Sequence, residues 1–105
     1  MKPQWKDILK QAQAMQTRLT EIQEEVAKKT VEATAGGGMV RAVVNGRLEV
    51  VELHVEQDVF ESGDREMLQD LVVAAVNQGI RKAQEMVAAE MAKVTGGLKI
   101  PGFAD

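Results

Sequence analysis

Seven apolar residues near the start of the chain constrain its fold most strongly. Trp5, Ile8, Ala12, Met15, Leu19, Ile22 and Val26 follow one another at alternating spacings of three and four. That is the heptad seam of an amphipathic helix. The positions between them are mostly Gln, Lys, Glu, Thr and Ala, which suit a helix. Pro3 stands where a first-turn proline is tolerated. A helix over residues 4–28 would be roughly 38 Å long, whereas a compact domain of this size has a radius of gyration near about 13 Å. The seam is therefore longer than the globule that could cover it. Either the helix projects, or a second chain packs on it.

The pattern then changes period. Thr30, Glu32 and Thr34 alternate with Val31, Ala33 and Ala35, which predicts a strand over 30–35. Gly36-Gly37-Gly38 reads as a turn, residues 39–45 as a second strand and 47–55 as a third. Asn45-Gly46 between them signals a two-residue hairpin, because both residues accept positive φ. That turn sets Val44 opposite Arg47 and Val40 opposite Val51. One face then carries Val40, Ala42, Val44, Val51, Leu53 and Val55. The other carries Val43, Leu48 and Val50 near the turn and Arg41, Glu52 and His54 farther away. The second face is too apolar near the turn for simple solvation. A bulge that shifts the register and a buried surface at a dimer interface both account for it.

Residues 56–66 read as an acidic, turn-like stretch. A second long helix is expected over 64–95, with Leu68, Leu71, Val72, Ala75, Val76, Ile80, Ala83, Val87, Met91 and Val94 along its apolar stripe. Ser62 or Asp64 can cap its start. Gly79 lies in its middle at a cost of about 1 kcal/mol against Ala, which close packing would explain. Gly96-Gly97 ends it, and the tail from Leu98 to Asp105 reads as loose. With no repeat and no composition break, residues 1–105 form a single domain of α+β class: long N-terminal helix, three-stranded antiparallel meander, long C-terminal helix.

Charge is uneven along this frame. The net charge of −3 excludes a uniformly basic nucleic-acid coat. Yet residues 1–20 hold Lys2, Lys6, Lys10 and Arg18 against Asp7, for +3, while residues 56–70 hold six acids against Arg65, for −5. Lys6 and Lys10 lie one turn apart, away from the seam, and Gln13 and Thr17 continue their row. Such residues bond phosphate oxygens without reading bases. A solvated helix face is the plainer account of the same pattern.

Other constellations are weaker. Glu52, His54 and Glu56 alternate on one strand as metal ligands can, but a solvated strand face has the same pattern. Ser62, His54, Asp58 and Asp64 are the residue types of a catalytic triad, yet no nucleophile elbow accompanies them. The glycine triplet lacks the Gly-Lys-Ser/Thr ending of a phosphate loop. There is no cysteine, one serine and one histidine. That inventory points to a non-enzymatic protein with no catalytic residues, no metal and no cofactor. No run of about 18 apolar residues predicts a membrane span. Lys2 is not followed by an apolar signal core, so a cytosolic location is expected.

Four segments together carry a resemblance. They are Lys10-Gln11-Ala12-Gln13-Ala14-Met15-Gln16 on the first helix, Gly38-Met39-Val40 with Val44-Asn45-Gly46 around the hairpin, Glu66 to Ala75 opening the last helix, and Pro101-Gly102-Phe103 in the tail. In this order the chain resembles the YbaB/EbfC family of bacterial nucleoid-associated proteins over nearly its whole length. The resemblance implies an intertwined, tweezer-like homodimer that binds double-stranded DNA with little sequence specificity, alters its conformation and influences gene expression, in the cytoplasm on the nucleoid. It points to Lys6, Lys10 and Arg18 on the first helix and Arg81 and Lys82 on the last as DNA-binding residues. Of these, Lys10 lies inside a closely matching motif, and the others are carried by location and charge. The two-faced hairpin assigns Val43, Leu48 and Val50 to the dimer interface. The start Met1-Lys2-Pro3-Gln4-Trp5 departs from a glycine-rich pattern, and Gln57-Asp58 stands where a proline is typical. The alternative is a protein–protein adaptor that uses the helix seam and the apolar hairpin face.

Overall fold

The computed structural model describes residues 4–97, with side chains as far as Val94. The elements run α1 (Gln4–Lys28), β1 (Thr30–Ala35), β2 (Val40–Asn45), β3 (Val50–Val55), α2 (Gln57–Glu61) and α3 (Arg65–Gly97). The strands form one antiparallel sheet in the order β1-β2-β3. Pro3 and the tail beyond Gly97, about which the sequence raised expectations, lie outside the described residues. The expected class and element order hold, with a helix at each end of a three-stranded meander.

The core lies between α3 and the first two strands. Val40, Ala42 and Ala75 are buried together, and Leu68, Leu71, Val72 and Val76 pack around them. Ala75, Gly79 and Ala83 recur every four residues along α3 and all three are buried. This small-residue stripe lets the helix lie close to Ala33 and Ala42 of the sheet. A Cβ on Gly79 would lie 2.7 Å from Val44 Cγ2. The mid-helix glycine is thus a point of close approach to the sheet.

The hairpin between β2 and β3 differs from the expected one. Its turn runs from Asn45 to Glu49, closed by the Asn45 amide donating to the Glu49 carbonyl at 3.0 Å and the Leu48 amide to the Asn45 carbonyl at 3.0 Å. Asn45 Oδ1 also accepts from the amides of Arg47 at 2.9 Å and Glu49 at 3.1 Å. The residue at positive φ is Leu48, at 64°. Gly46 serves another need, because its Cβ would lie 2.1 Å from the Val26 carbonyl oxygen of α1. The longer turn moves the register by four: Val40 pairs with Val55 and Ala42 with Leu53. A bulge then leaves Val51 unpaired, so Val44 faces Val50 and not Arg47. Of the two accounts of the apolar second face, the structure contains the bulge.

The acidic connection is also more ordered than its composition implied. Residues 57–61 make a short helix with Val59 buried. Ser62 Oγ donates to the Val59 carbonyl at 2.6 Å and accepts from the Asp64 amide at 3.2 Å. Asp64 Oδ1 then caps α3 by accepting from the Met67 amide at 3.0 Å.

The outline is elongated, 77 × 26 × 15 Å, with a radius of gyration of 20.9 Å. A 33-residue α3 accounts for about 50 Å of that length at 1.5 Å per residue, and α1 reaches beyond it as an arm. The seam of α1 is covered only at its root: Val26 is 5% exposed, whereas Trp5 is 66% and Ile8 62% exposed.

Candidate nucleic-acid interface

The arm presents its cations at the far end. Lys6 and Lys10 are exposed one turn apart. The described residues contain three ion pairs, formed by Lys29 with Glu90, Arg41 with Glu32 and Lys93 with Glu90, besides a contact between His54 and Glu52. Lys6, Lys10, Arg18 and Arg81 take part in none of them. Charges that are exposed and unpaired have no intramolecular partner to give up on meeting phosphate.

Arg18 lies lower, where the arm meets α3. There Met15, Leu19, Ile22 and Val26 of α1 face Glu90, Lys93 and Val94 of α3 across a groove of about 420 Å³. Glu90 holds both sides. One carboxylate oxygen accepts from Lys29 and the other from Lys93, the latter at 2.8 Å. These bonds, that from Lys29 above all, hold the Glu90 carboxyl down at about 2. Sequence reading did not single out this cluster. Lys93 at i+3 from Glu90 was a visible cue, but Lys29 is 61 residues away from Glu90 in the chain.

Arg81 and Lys82 lie elsewhere. Both are exposed on the part of α3 that covers the sheet, and Lys82 Nζ donates to the Glu32 carbonyl of β1 at 3.0 Å. With Lys29 and Glu90 as the common level, Lys6 lies roughly 35 Å up the arm and Lys82 roughly 12 Å the other way, at 1.5 Å per residue. One chain therefore does not bring the two predicted basic groups together. The acids of α2 and of the α3 N-terminus, from Glu56 to Asp70, occupy the end opposite the arm tip.

The residues expected at the dimer interface do not share one face. Val43 is buried within the single chain, Leu48 sits in the turn and Val50 faces Val44. Leu48 and Val50 are exposed, as are Val51, Leu53 and, on α3, Val73. The cause is the placement of α3, which lies across β1 and β2 and barely reaches β3. His54 Nε2 and Glu52 Oε1 stand 3.3 Å apart on the exposed sheet face, and no cluster of three metal-ligating side chains occurs among the described residues. None of the described helices is long and apolar enough to cross a membrane.

Known proteins are similar to this chain. The model of the YbaB/EbfC DNA-binding family matches residues 1–98. A nucleoid-associated protein of Thermoanaerobacter pseudethanolicus is 59% identical over 97 residues, which cover 92% of this chain and 87% of the relative. One from Syntrophobacter fumaroxidans is 58% identical over 95 residues, or 90% of this chain and 86% of the relative. The crystal structure of an uncharacterized protein from Helicobacter pylori shares the fold, with a TM-score of 0.69 at 23% identity over 84% of this chain and 92% of that one.

Proposed function

The chain belongs to the YbaB/EbfC DNA-binding family, and from that premise we propose that it binds double-stranded DNA as a homodimer, with little sequence preference, through the tips of its α1 arms. The observation that carries this reading is the exposed, unpaired Lys6–Lys10 pair at the end of a projecting helix. Lysines at such a tip neutralise phosphates and release counterions, a contact that depends on backbone charge and not on base identity. Arg18 extends the contact down the arm. Arg81 and Lys82 form a separate, second contact. Two arms held side by side clamp or bend a duplex, at a deformation cost on the order of 1–6 kcal/mol. Through that deformation the protein organises the nucleoid and influences expression. It acts by binding and not by catalysis.

The uncovered apolar residues of β3 and the upper seam of α1 support the dimer. Leu48, Val50, Val51, Leu53 and Val73 are all exposed in a single chain, and large apolar side chains left uncovered in such number favour an interface.

The test is fluorescence anisotropy of a labelled duplex across about 50–200 mM salt. If about four phosphates are neutralised, log affinity should fall against log salt with a slope near −3.6. The double reversal Lys6→Glu with Lys10→Glu should abolish binding while the dimer stays folded. Arg81→Glu with Lys82→Glu should weaken binding less. Retained affinity in the folded arm variant would refute the tip assignment. A second reading is favoured by Trp5 and Ile8, which are exposed at the same tip: the seam engages a protein partner. Binding would then survive high salt and fail in Ile8→Asp.

A further inference from the structure

We infer that Glu90 is a positioning residue that sets the direction in which the α1 arm leaves the body. The arm is fixed to the sheet at its root, where Val26 is buried and the Gly46 amide donates to the Ala27 carbonyl at 3.2 Å. Against α3 it is held differently. The apolar side chains that face each other above the root leave a groove of about 420 Å³, so packing there is incomplete and does not by itself fix an angle. A closed contact at the foot of this gap is ionic. Glu90 bonds Lys29, the residue that follows α1, with one oxygen and Lys93 of α3 with the other. Its side chain is 16% exposed, against 51% for Lys29 and 75% for Lys93, so the carboxylate is the covered centre of the cluster. Without it, the ammonium groups of Lys29 and Lys93 lose the carboxylate that joins them, and the ionic link between the arm's root and α3 is gone. Small angular changes at the root become large displacements at Lys6, roughly 35 Å away by helical rise.

Only the functional consequence rests on the DNA-binding reading above; the mechanical claim does not need it. Because the chain contains no cysteine, Gln13→Cys on the arm and Gln84→Cys on α3 can be spin-labelled cleanly. Labelled chains diluted with unlabelled ones then report the arm-to-body distance within one chain. The expected result is a narrow distance distribution that widens in Glu90→Gln and widens with added salt in the parent but not in that variant. Equal widths in the two proteins, with the same helix content, would overturn the inference. On DNA the two accounts have opposite signs. Glu90→Gln removes a negative charge, so long-range electrostatics alone tightens binding, as Glu85→Gln on the same helix should. A misdirected arm weakens binding instead, by about two- to threefold, the lower end of what a residue acting through others transmits, with the salt slope unchanged. Tighter binding by Glu90→Gln would overturn the role in DNA contact. If the parent fails to bind duplex at all, the DNA reading falls while the distance measurement still decides the role of Glu90.

Discussion

Gly79 and Glu90 show how single residues on α3 do unrelated work within three turns of each other. Gly79 exists for the sheet: the methyl group of an alanine there would press on Val44 Cγ2, and Val44 is fully buried with a stiff β-branched side chain. Alanine gains about 1 kcal/mol of helix propensity but overpacking costs about 1–3 kcal/mol. Gly79→Ala should therefore destabilise the protein by about 1 kcal/mol, seen as a lower thermal midpoint, whereas Gln78→Ala on the exposed side of the helix should not. Glu90 makes a prediction in pH. Lys29 and Lys93 lower its carboxyl to about 2 from 4.5. A depressed carboxylate contributes stability that is fully present above its unfolded value and is lost as pH falls through the folded one. The difference in thermal midpoint between the parent and Glu90→Gln should thus be constant above about pH 5 and vanish toward pH 2. A difference that persists unchanged at pH 2 would mean that the ion pairs contribute nothing.

Among the elements, β3 is the one that the single chain leaves unfinished. Val50 and Leu53 pair with Val44 and Ala42 of the core, yet α3 barely reaches β3 and both stay exposed. A charge placed there should be tolerated by the protomer and rejected by a partner. Leu53→Glu is expected to yield folded monomers by light scattering, with little loss of helix content. A dimer that survives this change would move the interface elsewhere. The same strand shows what the sequence could and could not disclose. Period-two alternation identified the strands, and the register error of four kept every face correct except at the bulge, because an even shift preserves side-chain direction. The turn differs from its local signal because Asn45-Gly46 carries two competing explanations. Positive φ is one, and close approach to the Val26 carbonyl is the other. Only the tertiary contact with α1 decides between them. The α2 helix was hidden by acidic composition, since a single turn shows no periodicity. At the candidate site, Lys6 and Lys10 were legible from their local spacing. The Lys29–Glu90 contact was not, because nothing local links residues so far apart in the chain.

At the scale of the whole molecule, length and charge act together. The arm tip, the root cluster and the acidic base are spread along an axis of 77 Å, so each can meet a different surroundings at the same moment. The proposed phosphate-binding tip is separated from the acids of the base by a distance well beyond the Debye length of about 8 Å at physiological salt. Neutralising acids of the base, for example Asp58→Asn with Glu61→Gln, should leave bound-state lifetimes on DNA nearly unchanged in stopped-flow and dissociation measurements. A variant that dissociates several times more slowly would mean that the base touches DNA after all.

The separation of a basic tip from an acidic base also gives the molecule a permanent electric moment along its length. In the field of a polyanion such a body experiences a torque before it makes any contact. On the DNA-binding reading proposed above, this torque favours an arm-first approach. Electrostatic alignment of this kind raises association rates and fades as salt rises. An acidic protein can in this way be captured quickly by an acidic polymer, because the encounter is governed by the gradient of charge along the body and not by its sum.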